Sequence, residues 1–320
     1  MDNLLLGVDN IQDDSISNIL EKNLLSFYDW GFTNAGGYVN INRPTSGLYG
    51  SNKHLLKLVD DPNYSPGQVW QSSRENWIWE TGINKPTQPN SISGIYIGNT
   101  FKSFSYNPSS GYYVGDGYKI DYTNGRIIFN APISTNSQVS LNYSYKWISV
   151  ESAEGQPFFR YIQQGSFRSD ENFFTGSGNW VQLGPTRVQL PAVFIESPIR
   201  GSFKPFQLGG GQYQNTDVIA HVLTEGFSTA KNITDAISFQ NDRMINLYNT
   251  NGVYKSGHLA LDNYGNLVNK DYSYPYLLEN HHYGKCFINN TIKENPLQLS
   301  LSLYYATVRF STQIELSNIS

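Results

Sequence analysis

The sequence is poor in cysteine, in charged residues and in long hydrophobic runs. Cys286 is the only cysteine among 320 residues. An intrachain disulfide is therefore impossible, and nothing requires an oxidising compartment. The apolar run near the amino terminus stops after Leu6, far short of the roughly 18 residues that a membrane span needs. We expect synthesis in a cytoplasm, without a secretion signal and without a membrane partner.

Charged residues are scarce and nearly balanced in sign. They make up 15% of the chain, against about a quarter in an ordinary domain, and 22 Lys and Arg oppose 26 Asp and Glu. No bulk positive field exists to attract phosphates, so general nucleic-acid binding is disfavoured. Aromatic residues instead reach 14%, with 23 Tyr, 17 Phe and 6 Trp. This composition favours strands, turns and broad protein contacts, and it argues against disorder.

The first 90 residues predict a helix followed by an extended aromatic arm. Asp13 and Asp14 are suitable N-cap residues, the apolar stripe that follows has helical spacing, and Gly31 is a suitable stop. Glycine and proline then recur through residues 31–90, which excludes long regular elements. The same stretch carries three tryptophans, which indicates that it packs on its own domain or on a neighbouring subunit.

Residues 91–150 predict a small all-β module, either a β-sandwich or a β-barrel. Short runs of alternating apolar and polar residues are typical of half-buried strands. Asn124 and Gly125 separate two such runs, and this dipeptide predicts a type I′ hairpin turn.

Residues 151–320 mix strands and helices, which predicts an α+β domain. Strands at 187–196 and 217–225 flank a glycine turn at 209–211, and Ser228 is the predicted cap of an amphipathic helix with Ile233, Ala236, Ile237 and Met244 on its apolar face. In the last segment the apolar phase slips by one residue near Tyr304 and Tyr305. Such a slip predicts a bulge or bend.

No group of residues has the spacing of a catalytic or metal site. His281 and His282 are adjacent, so on an extended chain they point to opposite sides, and no second ligand accompanies Cys286 at a metal-binding spacing. His221 lies in a predicted strand, where a hydrogen-bonded structural histidine is the expected role. The sequence also lacks a nucleophile elbow and a phosphate loop. We expect no enzymatic activity, no cofactor and no metal.

Several short segments resemble virion structural proteins of tailed bacteriophages. They are RPTSGLYG at 43–50, DPNY at 61–64, GQVW at 67–70, WIWE at 77–80 and DYTNGRIIF at 121–129. The last third, with LPAVFIE at 190–196, the turn at 208–210, DVIAHV at 217–222 and the following helix, is similar in order to tail-terminator and tail-completion proteins of the neck. The adaptor, stopper and terminator layers all stay open, because the 91–150 module is an addition to a minimal terminator.

The resemblance implies a structural subunit that forms a homo-oligomeric ring between head connector and tail. Its expected partners are further copies of itself, the neighbouring neck, connector and tail-tube proteins, and incidentally the genomic DNA in the ring lumen. Its expected location is the virion, after synthesis in the host bacterial cytoplasm. The expected fold is a β-rich α+β fold, with a terminator-like domain, the added β module and the aromatic arm. The candidate interface residues are Arg43, Tyr49, Tyr64, Trp70, Trp77 and Trp79.

Two other functions are compatible with the sequence. Exposed Trp and Tyr rings stack on sugars, so a β-rich glycan-binding or host-binding module of the same particle is the first alternative. A hydrolase whose catalytic residues are dispersed along the chain is the second. A glycan binder would be monomeric or trimeric, whereas a neck subunit would form closed rings and bind no sugar.

Overall fold

The chain has a β-rich α+β fold. The computed structural model describes residues 10–43, 52–80, 83, 92–107, 109, 112–154, 189–205, 212–257, 259–268 and 273–316. Four α-helices lie within these ranges: α1 Ile16–Asn34, α2 Phe227–Ser238, α3 Thr250–Lys255 and α4 Tyr274–Asn280. The general prediction of a β-rich α+β fold is therefore confirmed.

The first ten strands form a small β module. They are β1 Tyr38–Ile41, β2 Lys57–Leu58, β3 Val69–Gln71, β4 Gly94–Ile97, β5 Thr100–Asn107, β6 Tyr112–Gly115, β7 Tyr118–Asp121, β8 Arg126–Phe129, β9 Val139–Leu141 and β10 Tyr143–Lys146. Two four-stranded antiparallel sheets have the orders β2-β3-β8-β7 and β6-β5-β4-β9, and β1 pairs with β10. Side chains from both sheets share one apolar core.

The boundary predicted at residue 90 does not match this module. Strands β1, β2 and β3 belong to the segment that was predicted as an arm, yet β3 pairs with β8 and β1 pairs with β10. Frequent glycine and proline shorten the strands of this segment without preventing them from joining a sheet. Its described part is thus built into the β module.

The remaining strands form one large, curled half-barrel sheet. They are β11 Ser149–Ser152, β12 Ala192–Pro205, β13 Gln212–Thr224, β14 Arg243–Tyr248, β15 His282–Lys293, β16 Leu297–Ser300 and β17 Leu303–Leu316. The order is β11-β12-β13-β17-β15-β14, and β16 pairs with β17. The β11–β12 pair is parallel and the others are antiparallel, so the sheet is mixed.

Helices α1 and α2 cover one face of this large sheet. Alternate residues of the central strands face them, as the two-residue period of a strand requires. The helices contribute Leu20, Leu24, Tyr28, Ile233 and Ile237 to this core. The central strands contribute Val218, Ala220, Val222, Ala306, Val308 and Phe310.

Helix α1 begins and ends at other residues than predicted. Ser15 is the N-cap, and its hydroxyl accepts a hydrogen bond from the Asn18 backbone N–H. Asp14 instead accepts hydrogen bonds from Lys22 at 2.6 Å and from Thr250 at 2.6 Å. The helix continues through Gly31 to Asn34, because a single glycine lowers helix stability by only about 1 kcal/mol and packing outweighs it.

The other predicted turns and caps also differ in detail. The β7–β8 hairpin is present, but its loop has four residues and only Gly125 has a positive φ, of 62°, so it is not type I′. The loop is instead stabilised by Asp121, whose carboxylate accepts a hydrogen bond from the Asn124 backbone N–H at 3.0 Å. Helix α2 has Gly226 as N-cap instead of Ser228.

Strands β16 and β17 form a hairpin whose register shifts between Gln298 and Ser300, opposite Tyr304 and Leu303, in agreement with the bulge or bend predicted near Tyr304. Strand β16 pairs with β17 and the chain reverses between them, which accounts for the phase slip near Tyr304. Met244, predicted on the apolar face of α2, lies in β14 and is exposed. The strands predicted at 187–196 and 217–225 correspond in part to β12 and β13, which pair antiparallel, while the glycine turn at 209–211 lies outside the described residues.

Asn23 joins α1 to the large sheet through a buried pair of hydrogen bonds. Its side-chain oxygen accepts the Tyr248 N–H at 2.8 Å, and its Nδ2 donates to the Tyr248 carbonyl at 3.0 Å. We expect Asn23→Ala to lower the free energy of unfolding by about 1–3 kcal/mol, because both backbone groups would stay buried without these partners. The matched control is Asn18→Ala, an exposed position of the same helix, which should change it by less than about 0.5 kcal/mol. Urea denaturation measures both, and equal effects would contradict this role of Asn23.

Candidate functional site

Two of the predicted interface tryptophans are core residues of the β module. Trp70 is 3% exposed and Trp77 is 1% exposed. The Trp77 ring lies 4.8 Å from that of Tyr143, and its Nε1 donates to the Ser72 hydroxyl at 3.1 Å. Their burial within the chain differs from the expectation that their rings are offered to a neighbouring subunit. The tryptophans among glycines and prolines correctly indicated a packed segment. The surface that they pack against belongs to this chain.

The other predicted interface residues lie at separate places on the module. Arg43 donates to the Gly98 carbonyl at 3.2 Å and stacks on the ring of Tyr96, so it ties β1 to the β4–β5 turn. Tyr64 is partly buried, and burial together with the charge of Asp61 raises the pKa of its hydroxyl. Trp79 packs partly buried against the module core. Tyr49 lies outside the described residues.

An ion cluster joins α1 to the β module. Lys146 at the end of β10 donates to Asp29 of α1 at 2.6 Å and also contacts the carboxylate of Glu80. Burial raises the pKa of Asp29, and Lys146 offsets this only in part. Burial by itself would lower the pKa of Lys146, but the two carboxylates raise it above its usual value. Both charge types are thus held in the low-dielectric junction by their mutual attraction.

A loop from the carboxyl-terminal half forms a second junction. Leu267 is buried in the core of the β module, and the Tyr122 N–H donates to the Gly265 carbonyl at 3.0 Å. Gly265 has a φ of 77°, and a Cβ there would lie 2.2 Å from Asp121 Oδ1. Burial raises the pKa of Asp121, while its hydrogen bonds from Asn124 lower it. This close approach requires glycine, and it fixes the loop against the β7–β8 hairpin.

A buried polar cluster lies on the face of the large sheet opposite α1 and α2. His221 of β13 is 5% exposed; its Nε2 lies 3.0 Å from Glu196 Oε2 and its Nδ1 lies 2.7 Å from the Tyr305 hydroxyl. Burial raises the pKa of Tyr305 to about 12, so its hydroxyl keeps its proton. The prediction of a hydrogen-bonded strand histidine is confirmed. Its partners were not predictable, since they lie on β12 and β17.

The histidine and cysteine segment near residue 281 does not form a shared site. His281 follows α4, His282 begins β15 and is exposed, and Cys286 is buried in the core beneath the helices, where burial raises the pKa of its thiol to about 12. Within the described ranges, no cluster of three or more His, Cys, Asp or Glu side chains has a geometry suited to a metal ion. The helices in those ranges are too short or too polar to traverse a bilayer.

The outer half of β12 is an exposed sheet edge. Strand β11 pairs only with Ala192–Ile195, and the β12–β13 register shifts between Glu196 and Arg200. Beyond this point, residues 200–205 pair with β13 alone among the described strands, and their side chains are exposed. Phe203 is 58% exposed. We call residues 200–205 the outer strand; its outer side has no strand partner among the described residues, and such an edge is a template for pairing with another chain.

No protein-family model matches this chain, and no curated protein matches it. The assignment of a function therefore depends on the geometry of the described residues together with the resemblance in sequence.

Proposed function

We propose that this chain is a structural subunit of a tailed-bacteriophage virion neck, which forms a homo-oligomeric ring joining head connector to tail. A tail-terminator or tail-completion position fits best, because that resemblance implies an α+β fold and the described residues have a β-rich α+β fold. The partners would be neighbouring copies, the adjoining neck, connector and tail-tube proteins, and DNA in the lumen. The protein would be made in the bacterial cytoplasm and reside in the virion.

The observation that carries this proposal is the exposed outer strand of β12. A six-residue sheet edge with an exposed phenylalanine favours strand addition from a second protein chain. Two outer strands could pair with each other only about a two-fold axis. Centred on Ser202, that pairing would place Arg200 opposite Lys204, and like charges in direct opposition are destabilising. This two-fold register is therefore disfavoured, whereas a head-to-tail contact does not require it, and head-to-tail contacts are the ones that close into rings.

We expect Phe203→Ser to weaken self-association by about 30-fold, equivalent to an interface hot spot of about 2 kcal/mol. The phenylalanine contributes apolar contact area only when a neighbouring copy covers it. Native mass spectrometry over a concentration series, with electron microscopy of the assembled species, measures stoichiometry and ring closure. The matched control is Phe239→Ser, since Phe239 is 82% exposed after α2 and lies outside the proposed contact.

Three outcomes would contradict the proposal, and two of them also require analysis of purified virions or a glycan array. The first is a protein that stays monomeric at all concentrations and is absent from purified virions. The second is a loss of association in the Phe239 variant equal to that in the Phe203 variant. The third is a monomer or trimer that binds sugars on a glycan array, which would favour the glycan-binding alternative.

A further inference from the structure

The Glu196, His221 and Tyr305 cluster lies at the base of the outer strand. Glu196 is the last residue of β12 before the register shift, and Arg200 is the first residue of the outer strand after it. His221 links Glu196 on one side to Tyr305 of β17 on the other. The three side chains therefore connect three neighbouring strands at the point where the exposed part of the β12–β13 hairpin begins.

The hydrogen bonds of this cluster fit a neutral imidazole. The Glu196 carboxylate only accepts, so Nε2 of a neutral His221 carries the N–H and donates to it, and Nδ1 accepts from the Tyr305 hydroxyl, which keeps its proton. A second proton on His221 would occupy Nδ1. Two donors would then face each other over 2.7 Å, and the Tyr305 hydroxyl would have to turn away or accept in place of donating.

Two further charged side chains act on His221. Arg309 of β17 opposes its protonation, whereas Glu294, between β15 and β16, favours it together with Glu196. Glu294 also accepts the Thr307 hydroxyl at 2.6 Å, which holds it beside the same face of the sheet. The two carboxylates are thus fixed by the strands around them, and they offset only part of the cost of placing a charge at this depth.

We propose that the Glu196, His221 and Tyr305 cluster is a pH-sensitive clasp, which holds the base of the outer strand in neutral solution and releases it when His221 takes up a proton. The proposal stands on the position of the cluster beside the register shift and on its hydrogen-bond pattern. It holds whether or not the outer strand is an assembly interface.

The direction of the effect follows from the burial of His221. Burial lowers the pKa of His221, the hydrogen bond and charge of Glu196 raise it, and the net direction is downward. A lowered pKa means that the open state binds the proton more readily, so the clasp is fully effective above about pH 6.5 and weakens as the pH falls below that value. Full exclusion of the proton from the closed state would raise the opening equilibrium by at most about 30-fold between pH 7.5 and 5.0.

Hydrogen exchange measured by mass spectrometry tests the clasp on the full chain. With rates corrected for the intrinsic effect of pH, peptides from β12 and β13 should lose protection by several-fold to about 30-fold at pH 5.0 relative to pH 7.5. His221→Gln removes the titration and should make this ratio close to one. His282→Gln, at an exposed position of β15, should behave as the wild-type protein.

An NMR titration of the histidine side chains makes the test independent of how well the variant folds. In the wild-type protein, His221 should titrate below pH 6.5. A His221 midpoint at or above 6.5 would overturn the proposal. So would unchanged β12 and β13 protection in the wild-type protein at pH 5.0, or an equal acid-induced loss in a folded His221→Gln variant.

Discussion

Lys146→Met is expected to lower the free energy of unfolding by about 3–5 kcal/mol. Methionine preserves most of the length of the side chain but removes its charge. Asp29 and Glu80 would then remain together without the cation, and removing one partner of a buried ion pair leaves an uncompensated charge in a low-dielectric site. Urea denaturation, followed by tryptophan fluorescence and by circular dichroism, measures the loss.

Lys102→Met is the matched control for the Lys146 variant. Lys102 forms an ion pair with Asp116 at 2.7 Å, but both side chains are well exposed to solvent. Exposed pairs contribute about 0–1 kcal/mol, so this variant should be close to the wild-type protein. Comparable losses in the two variants would show that lysine removal is costly wherever it occurs, and they would contradict the role of the junction cluster.

The stability lost in the Lys146 variant should also depend on pH. This loss should become smaller as the pH falls, whereas ordinary acid denaturation lowers stability. Without the lysine, burial and the nearby charge of Glu80 raise the pKa of the Asp29 carboxyl further in the folded state. A carboxyl whose pKa is raised by folding stabilises the folded state as the pH falls through that pKa. The stability gap between variant and wild type should therefore narrow from pH 7.5 towards pH 5. A difference in stability that stays constant with pH would contradict this expectation, because it would mean that the carboxylates become exposed to solvent in the variant.

Local sequence patterns predicted the helices and strands of this protein better than they predicted which elements pack against each other. The alternating strands of 91–150, the helix that begins near residue 16, strands β12 and β13 and the β7–β8 hairpin are all present. Period and turn composition are local, so a single sequence contains them. The four-residue hairpin loop differs from a type I′ turn because the Asp121 carboxylate, placed by the strand before it, binds the Asn124 N–H.

The junctions between modules could not be predicted from a single sequence. Nothing near Lys146 distinguishes it from a surface lysine, since Asp29 and Glu80 come from distant parts of the chain. The same holds for Leu267, a leucine in a polar loop that completes the core of the β module. The boundary at residue 90, placed where glycine and proline give way to alternating strand patterns, therefore lies within a module whose strands pair across it.

The candidate site shows the same limit. The sequence predicts His221 as a strand histidine, but its place beside the register shift of β12 depends on strand pairing that is visible only in the three-dimensional structure. The tryptophans show the opposite case, in which a pattern correctly indicated packing but left the partner open. Trp77 packs on its own chain, and substitution measures how much this packing contributes to stability.

Trp77→Ala is expected to lower the free energy of unfolding of the β module by about 3–5 kcal/mol. The ring is 1% exposed among apolar side chains of both small sheets, so its removal loses buried area and leaves a cavity. It also removes the hydrogen bond from Nε1 to the Ser72 hydroxyl. Chemical denaturation at a protein concentration too low for assembly isolates this loss from any effect on association.

Trp147→Ala is the matched control for the Trp77 variant, because Trp147 is an exposed tryptophan. Trp147 is 39% exposed just after β10, so its truncation should change the free energy of unfolding by less than about 1 kcal/mol. A core role for Trp77 requires that the folded fraction of its variant associates as the wild-type protein does. If Trp77→Ala instead folds with normal stability and fails only in assembly, its ring is exposed in the free subunit, and the interface assigned from the sequence would be correct.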